Sequence, residues 1–152
     1  MTILIGSDHI GYPLKADLIS FLGSLGHAVI DVGCNGEHDV VDYPNIAVAL
    51  AERIRSGETD RGVLVCGTGI GMAIAANKVP GIRAVCCHDT YSAERAKRSN
   101  NAQVMTMGAL IVTPTLAHEI MAHWLSSEFA GGQSTRKVEK VIDLDARFRG
   151  SG

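Results

Sequence analysis

Apolar positions along the chain fall into two alternating patterns. Short runs read as buried strands: Thr2-Ile3-Leu4-Ile5, Ala28-Val29-Ile30-Asp31-Val32, Gly62-Val63-Leu64-Val65-Cys66 and Ile82-Arg83-Ala84-Val85-Cys86-Cys87. A fifth is expected between Val104 and Val112, interrupted near Gly108. Between these runs apolar residues recur at helical spacing. Leu14, Leu18, Phe21, Leu22 and Leu25 follow Pro13 and stop at Gly26; Ile46, Leu50 and Ile54 follow Pro44 and stop at Gly57. Met72 to Ala76 reads as a small-residue helix, and Leu116, Ile120 and Trp124 share one face after Pro114. Asp89 or Thr90 is placed to cap a helix running to about Ser99. Residues 33–42 read as a loop. This alternation predicts an α/β fold, a parallel sheet covered on both faces.

The tail departs from that rhythm. Residues 1–129 read as the α/β domain and residues 130–152 as a C-terminal helical arm. Val138, Val141 and Ile142 form a narrow apolar stripe on the arm. Two readings stand: a helix folded back on its own domain, or an arm packed on a partner subunit.

Composition narrows the class. The 152 residues are 46% hydrophobic, 20% charged and only 5% aromatic, so one packed, mainly aliphatic core is expected. A net charge of −2 argues against broad electrostatic binding to nucleic acid. The four cysteines lack a secretory context and a zinc-type spacing, and no apolar run is long enough for a bilayer. An intracellular, reduced protein with no membrane contact is expected.

Ligands of open parallel sheets bind beyond the carboxyl ends of the strands. Four segments are expected to line one crevice there: Gly6 to His9, Cys66 to Gly71, His88 to Thr90 and Ser99 to Asn101. The turn with glycines at 67, 69 and 71 is the strongest local signal. No Gly-Lys-Ser/Thr follows, so it is not a P-loop, and it misses the dinucleotide fingerprint by one residue. Asp89 lies near the distance of a ribose-binding acid, which keeps a nucleotide reading in play. An oxyanion nest for a small substrate fits best, made of backbone N–H groups at the start of a helix. Cys66 immediately precedes it. A thiol beside a helix start can be activated as a base or nucleophile, whereas burial in the core is the commoner fate of cysteine. Cys86 and Cys87 lie in a strand pattern and read as core; Cys34 is undecided. Asp8-His9 reads either as a cap with an incidental histidine or as a pair that orients hydroxyls and moves protons between oxygens. His118 and His123 read as surface or core filling, His27 and His38 as solvated.

On these residues the sequence resembles the type B ribose-5-phosphate isomerase family, which includes galactose-6-phosphate isomerase subunits. The resemblance is carried by Gly6-Ser7-Asp8-His9-Ile10-Gly11, Asp42-Tyr43-Pro44, Val65 to Gly71, Ala75 to Ala84 and Asn100-Asn101-Ala102. It implies a Rossmann-like three-layer sandwich with a five-stranded parallel sheet. It also implies a cytoplasmic homodimer or tetramer, with active sites at the subunit interface. The implied reaction is aldose–ketose isomerisation of a phosphorylated sugar through an enediol, with no cofactor and no metal. Carried onto this chain, Cys66 moves the proton, while Thr68 and the N–H groups of Gly67, Gly69, Ile70 and Gly71 stabilise the enediolate. Asp8, His9 and Asn100 hold substrate oxygens, with Tyr43 as a neighbour.

Several positions depart from the family pattern. Ser99 stands where the family has a ring-opening histidine, and serine has no nitrogen that titrates near neutrality. Leu110, Gln133 and Lys137 stand where arginines are usual, which leaves Arg136 and Lys137 for the phosphate. A substrate with no ring to open, an acyclic tetrulose phosphate, accounts for Ser99. The segments His88 to Arg95 and Ser99 to Val104 also resemble the erythrulose-phosphate isomerase branch. His88 is the alternative replacement acid. The competing function is a non-catalytic sugar-binding or partner subunit of a hetero-oligomeric isomerase.

Overall fold

The strands that are buried along their whole length lie inside the sheet. In the computed structural model, which describes residues 1–150, five strands form one parallel sheet. They are β1 (Thr2–Ser7), β2 (Ala28–Asp31), β3 (Gly62–Cys66), β4 (Ala84–Cys86) and β5 (Val104–Gly108), in the order β2-β1-β3-β5-β4. All residues of β3 and β5 are buried, whereas edge strand β2 is half-exposed and edge strand β4 has only three residues.

Six helices alternate with and follow the strands: α1 (Tyr12–Ser24), α2 (Tyr43–Arg55), α3 (Ile70–Ala76), α4 (Thr90–Arg98), α5 (Pro114–Leu125) and α6 (Gln133–Arg149). Side chains alternate across each strand, so the sheet feeds two cores. Ile3, Ile5, Val63, Val65, Met105 and Met107 pack against α1, α4 and α5. Leu4, Leu64, Cys66 and Val104 pack against α2 and α3. The result is the three-layer α/β sandwich expected from the alternation. The core is aliphatic apart from Trp124, which is fully buried. No described helix is long and apolar enough to cross a membrane.

The fifth strand lies within the expected Val104–Val112 stretch and ends at Gly108, where the chain turns with Ile111 N–H donating to Gly108 O at 3.0 Å. One expectation changes. His118 is not mere filling: it stacks on Phe21 and meets Asp17 at 2.6 Å, joining α5 to α1. The arm is a single helix held against its own domain. Val138 is buried, Asp145 accepts the Gly81 N–H at 2.8 Å, and Arg149 donates to the carbonyls of Asn77 and Lys78. Residues 151–152 of the expected arm lie outside the described residues.

Candidate active site

Cys66 ends β3 with its side chain on the α2/α3 side of the sheet. The chain then turns through Gly67, Thr68 and Gly69 into α3. Gly69 has φ of +76°, a conformation glycine adopts without steric cost. Its N–H donates to Cys66 Sγ at 3.1 Å, in buried surroundings. The sulfur is thus a hydrogen-bond acceptor inside the turn. Ile70 N–H donates to Thr68 Oγ1 at 3.3 Å.

The turn is laid directly on β5. Ala109 and Leu110 N–H groups donate to the carbonyls of Cys66 and Gly67 at 2.8 and 3.0 Å, and Thr106 Oγ1 donates to Gly69 O at 2.7 Å. A Cβ at Gly69 would sit 2.7 Å from the Met107 carbonyl carbon, and one at Gly108 would sit 2.6 Å from Thr68 Cα. Backbone therefore meets backbone with no room for a side chain.

Three further predicted residues gather at this end. Gly11 lies so close to β3 that a Cβ would stand 2.4 Å from Val65 O. That contact seats the Asp8–Gly11 loop beside Cys66. Asp8 is buried; its N–H donates to Val65 O at 3.2 Å and its Oδ1 accepts the Gly11 N–H at 2.8 Å. His9 follows, and its Nδ1 is buried with no hydrogen-bond partner among the described residues. Tyr43 opens α2 and lays its ring on Gly71, where a Cβ would be 2.6 Å from the ring.

The other cysteines take structural roles. Burial, with Cys86 and Asp89 adding to it, pushes the Cys87 thiol up to about 12. Burial also pushes Cys86 up. Cys34 is buried and donates to Gly36 O and Asp39 O at 3.0 and 3.3 Å, closing its own loop. Asp89 caps α4, accepting from Ser92 N and Ser92 Oγ at 2.6 and 2.7 Å. Those bonds hold its carboxyl below the usual range and occupy the acid that a nucleotide ribose would have needed.

The single crevice expected from sequence does not form within one chain. Ser99, Asn100 and Asn101 precede β5, and in a parallel sheet that is the amino end, opposite Cys66. A five-residue strand separates the two ends by roughly 16 Å. Asn100 instead shares a groove of ≈ 730 Å³ with Ser99, Arg83, Lys137, Val138 and Ile142, under α6. Arg136, in the first turn of α6, is exposed. Ser99, Asn100 and Lys137 of this cluster were singled out from the sequence; Arg83, which braces Asn100, was not. Arg83 donates to Asn100 O and Asn101 O at 3.2 Å and 3.2 Å through Nε, and to Asn101 O at 2.9 Å through Nη2. This clamp holds Asn101 at φ of +49° and leaves Asn100 exposed. No spacing rule announces it.

The sequence profile described as Ribose/Galactose Isomerase matches residues 3–141. The chain belongs to that family. Among its relatives, a Listeria innocua protein named Ribose-5-P isomerase B is 48% identical over 149 residues, covering 98% of this chain and 100% of the relative. A Pectobacterium atrosepticum protein named D-erythrulose-4-phosphate isomerase is 49% identical over 141 residues, covering 93% of each. A solved ribose-5-phosphate isomerase B from Clostridium thermocellum superposes with a TM-score of 0.94 at 44% identity, covering 97% of this chain and 99% of that one. The ribose/galactose isomerase fold thus spans almost the whole chain, the Cys66 turn and the Asn100 groove included.

Proposed function

We propose that this aldose–ketose isomerase acts on a four-carbon sugar phosphate, interconverting an acyclic tetrulose 4-phosphate with its aldose. Cys66 is the base. Its sulfur takes a proton from C1 of the ketose, the electron pair forms the C1–C2 double bond, and charge moves to O2. The Thr68 hydroxyl and the N–H groups of the turn from Gly67 to Gly71 receive that oxygen, with Gly69 and Ile70 giving up their bonds to Cys66 Sγ and Thr68 Oγ1 as it arrives. The proton returns to C2 while O1 gives up its hydrogen and becomes the aldehyde. Asp8 and His9 serve the oxygen-to-oxygen transfer, with Tyr43 closing the side. The observation that carries the reading is the Gly69 N–H aimed at Cys66 Sγ, which puts base and oxyanion donors in one turn. The relatives named as isomerases lend no support to a non-catalytic partner subunit.

The four-carbon assignment rests on Ser99. A terminally phosphorylated tetrulose cannot close a furanose, so it needs no acid to open one. The Pectobacterium relative named for D-erythrulose 4-phosphate agrees with this choice.

The position of Asn100 supports a homodimer. Cys66 and Asn100 lie at opposite ends of the sheet, so a complete site needs the Asn100, Arg136 and Lys137 of a second copy. Exposed Val141, Ile142, Leu144 and Phe148 on α6 give that copy an apolar surface to cover, with a tetramer as the next possible assembly. The test is a substrate panel. Tetrulose 4-phosphate should be turned over with at least about tenfold higher kcat/KM than ribose 5-phosphate, and Cys66→Ala should lower kcat by about 100- to 10,000-fold. Equal or better use of ribose 5-phosphate overturns the substrate; a fully active Cys66→Ala enzyme overturns the mechanism.

A further inference from the structure

The short edge strand β4 leaves a gap in the sheet, and a histidine fills it. Along the β4–β5 ladder, Val104 N–H donates to Arg83 O at 3.3 Å and Cys87 N–H donates to Thr106 O at 2.9 Å. In a strand every second N–H points to the same neighbour. The Gly108 N–H, four residues beyond Val104, therefore faces the β4 side. It finds no backbone acceptor there and donates instead to His88 Nε2 at 2.9 Å. A nitrogen that accepts an N–H carries no proton of its own. Nε2 is therefore the acceptor nitrogen of this ring.

Gly108 is no ordinary strand end. It is the register partner of Cys66, and its Cα lies against the Thr68 backbone. On the same side, Cys86 Sγ lies 3.9 Å from His88 Nε2 and donates to Thr68 O at 3.7 Å. His88 grips the strand that the 66–71 turn rests on, and Cys86 grips the turn itself.

We propose that His88 is a positioning residue for the isomerisation. Its unprotonated Nε2 anchors Gly108, and Gly108 sets the height of Thr68 and the Cys66 turn beneath the substrate. The role is thus an acceptor role, distinct from that of an acid that opens a sugar ring. This inference rests on the isomerase reading for its kinetic consequence, and on geometry alone for its structural one.

The test exploits side-chain length. Glutamine places an amide oxygen the same number of bonds from Cα as His Nε2; asparagine reaches only as far as Nδ1. Displacing catalytic groups by about 1 Å can cost on the order of 100-fold in rate. His88→Asn and His88→Ala should therefore lower kcat by about 10- to 100-fold with KM changed less than about threefold, and His88→Gln should restore kcat to within about threefold. The second readout needs no substrate. The Gly108 amide should be protected from hydrogen exchange in the wild-type and Gln proteins and unprotected in Asn and Ala, and nitrogen NMR should show Nε2 of His88 unprotonated. An Asn or Ala variant with wild-type kcat, a Gln variant as poor as Ala, or an unprotected Gly108 amide in the wild type overturns the proposal. A wild-type chain inactive on every sugar phosphate overturns the isomerase reading instead, and the Gly108 amide then decides the positioning claim by itself.

Discussion

In the proposed mechanism Gly69 and Cys66 divide the work of one turn: the glycine supplies the shape and the thiol the chemistry. Gly69→Ala would force a Cβ into the left-handed region, at about 1–2 kcal/mol, and press it 2.7 Å from the Met107 backbone. A loss of more than about 2 kcal/mol in urea denaturation is expected, together with loss of turnover even where the protein still folds. A neutral result would show that β5 yields easily, and the rigid-turn argument would fail. Cys66 and the glycines were legible in the sequence because a strand end and a glycine run are both local signals. The fate of Cys34 was not, since its burial depends on how loop 33–42 folds over it. The His88–Gly108 bond was equally hidden, because nothing in either segment states how far β4 extends beside β5.

At the scale of elements, α6 is fastened at one end by a small polar cluster. Arg149 beside Asp145, and then the Gly81 N–H, hold the Asp145 carboxyl below its ordinary range. Its folded value is lower than its unfolded one. The tether is therefore fully present above the ordinary carboxylate value of about 4, and is lost as pH falls through the folded value. The protection factor of the Gly81 amide should drop below about pH 4 in the wild type, and should already be low at neutral pH in Asp145→Ala. Protection that ignores both changes would mean α6 is held by Val138 and its apolar neighbours alone. The helix itself was plain in the sequence as an amphipathic stripe. Its landing place was not, because the stripe fits a second copy as well as its own domain. The sheet and its covering helices were legible almost throughout, since each strand is a short apolar run bounded by a helix start or stop. The order β2-β1-β3-β5-β4 was not, because a local pattern carries no information about which strand lies beside which.

At the scale of the molecule, the two clusters make a directional claim. Cys66 belongs to one end of the sheet and Asn100 to the other. Two inactive variants, Cys66→Ala and Asn100→Ala, should therefore rescue each other when subunits are allowed to exchange. Each mixed dimer carries one doubly damaged site and one intact site, so a random mixture should recover about a quarter of wild-type activity. No recovery after verified exchange would place both residues in the same site of one subunit, against the separation seen here. The amino-end position of residues 99–101 also explains why one crevice was expected from sequence. The four segments share a chemical character, and only the strand direction tells which of them face the same way.

That direction has one last consequence. A hinge or lid can bring together groups on neighbouring loops, but no bending of this chain turns a parallel strand end for end. On the proposed homodimer, completion of the site is thus an encounter between molecules, governed by how many copies share a volume. Specific activity should then depend on enzyme concentration itself and fall on dilution below the dissociation constant of that dimer.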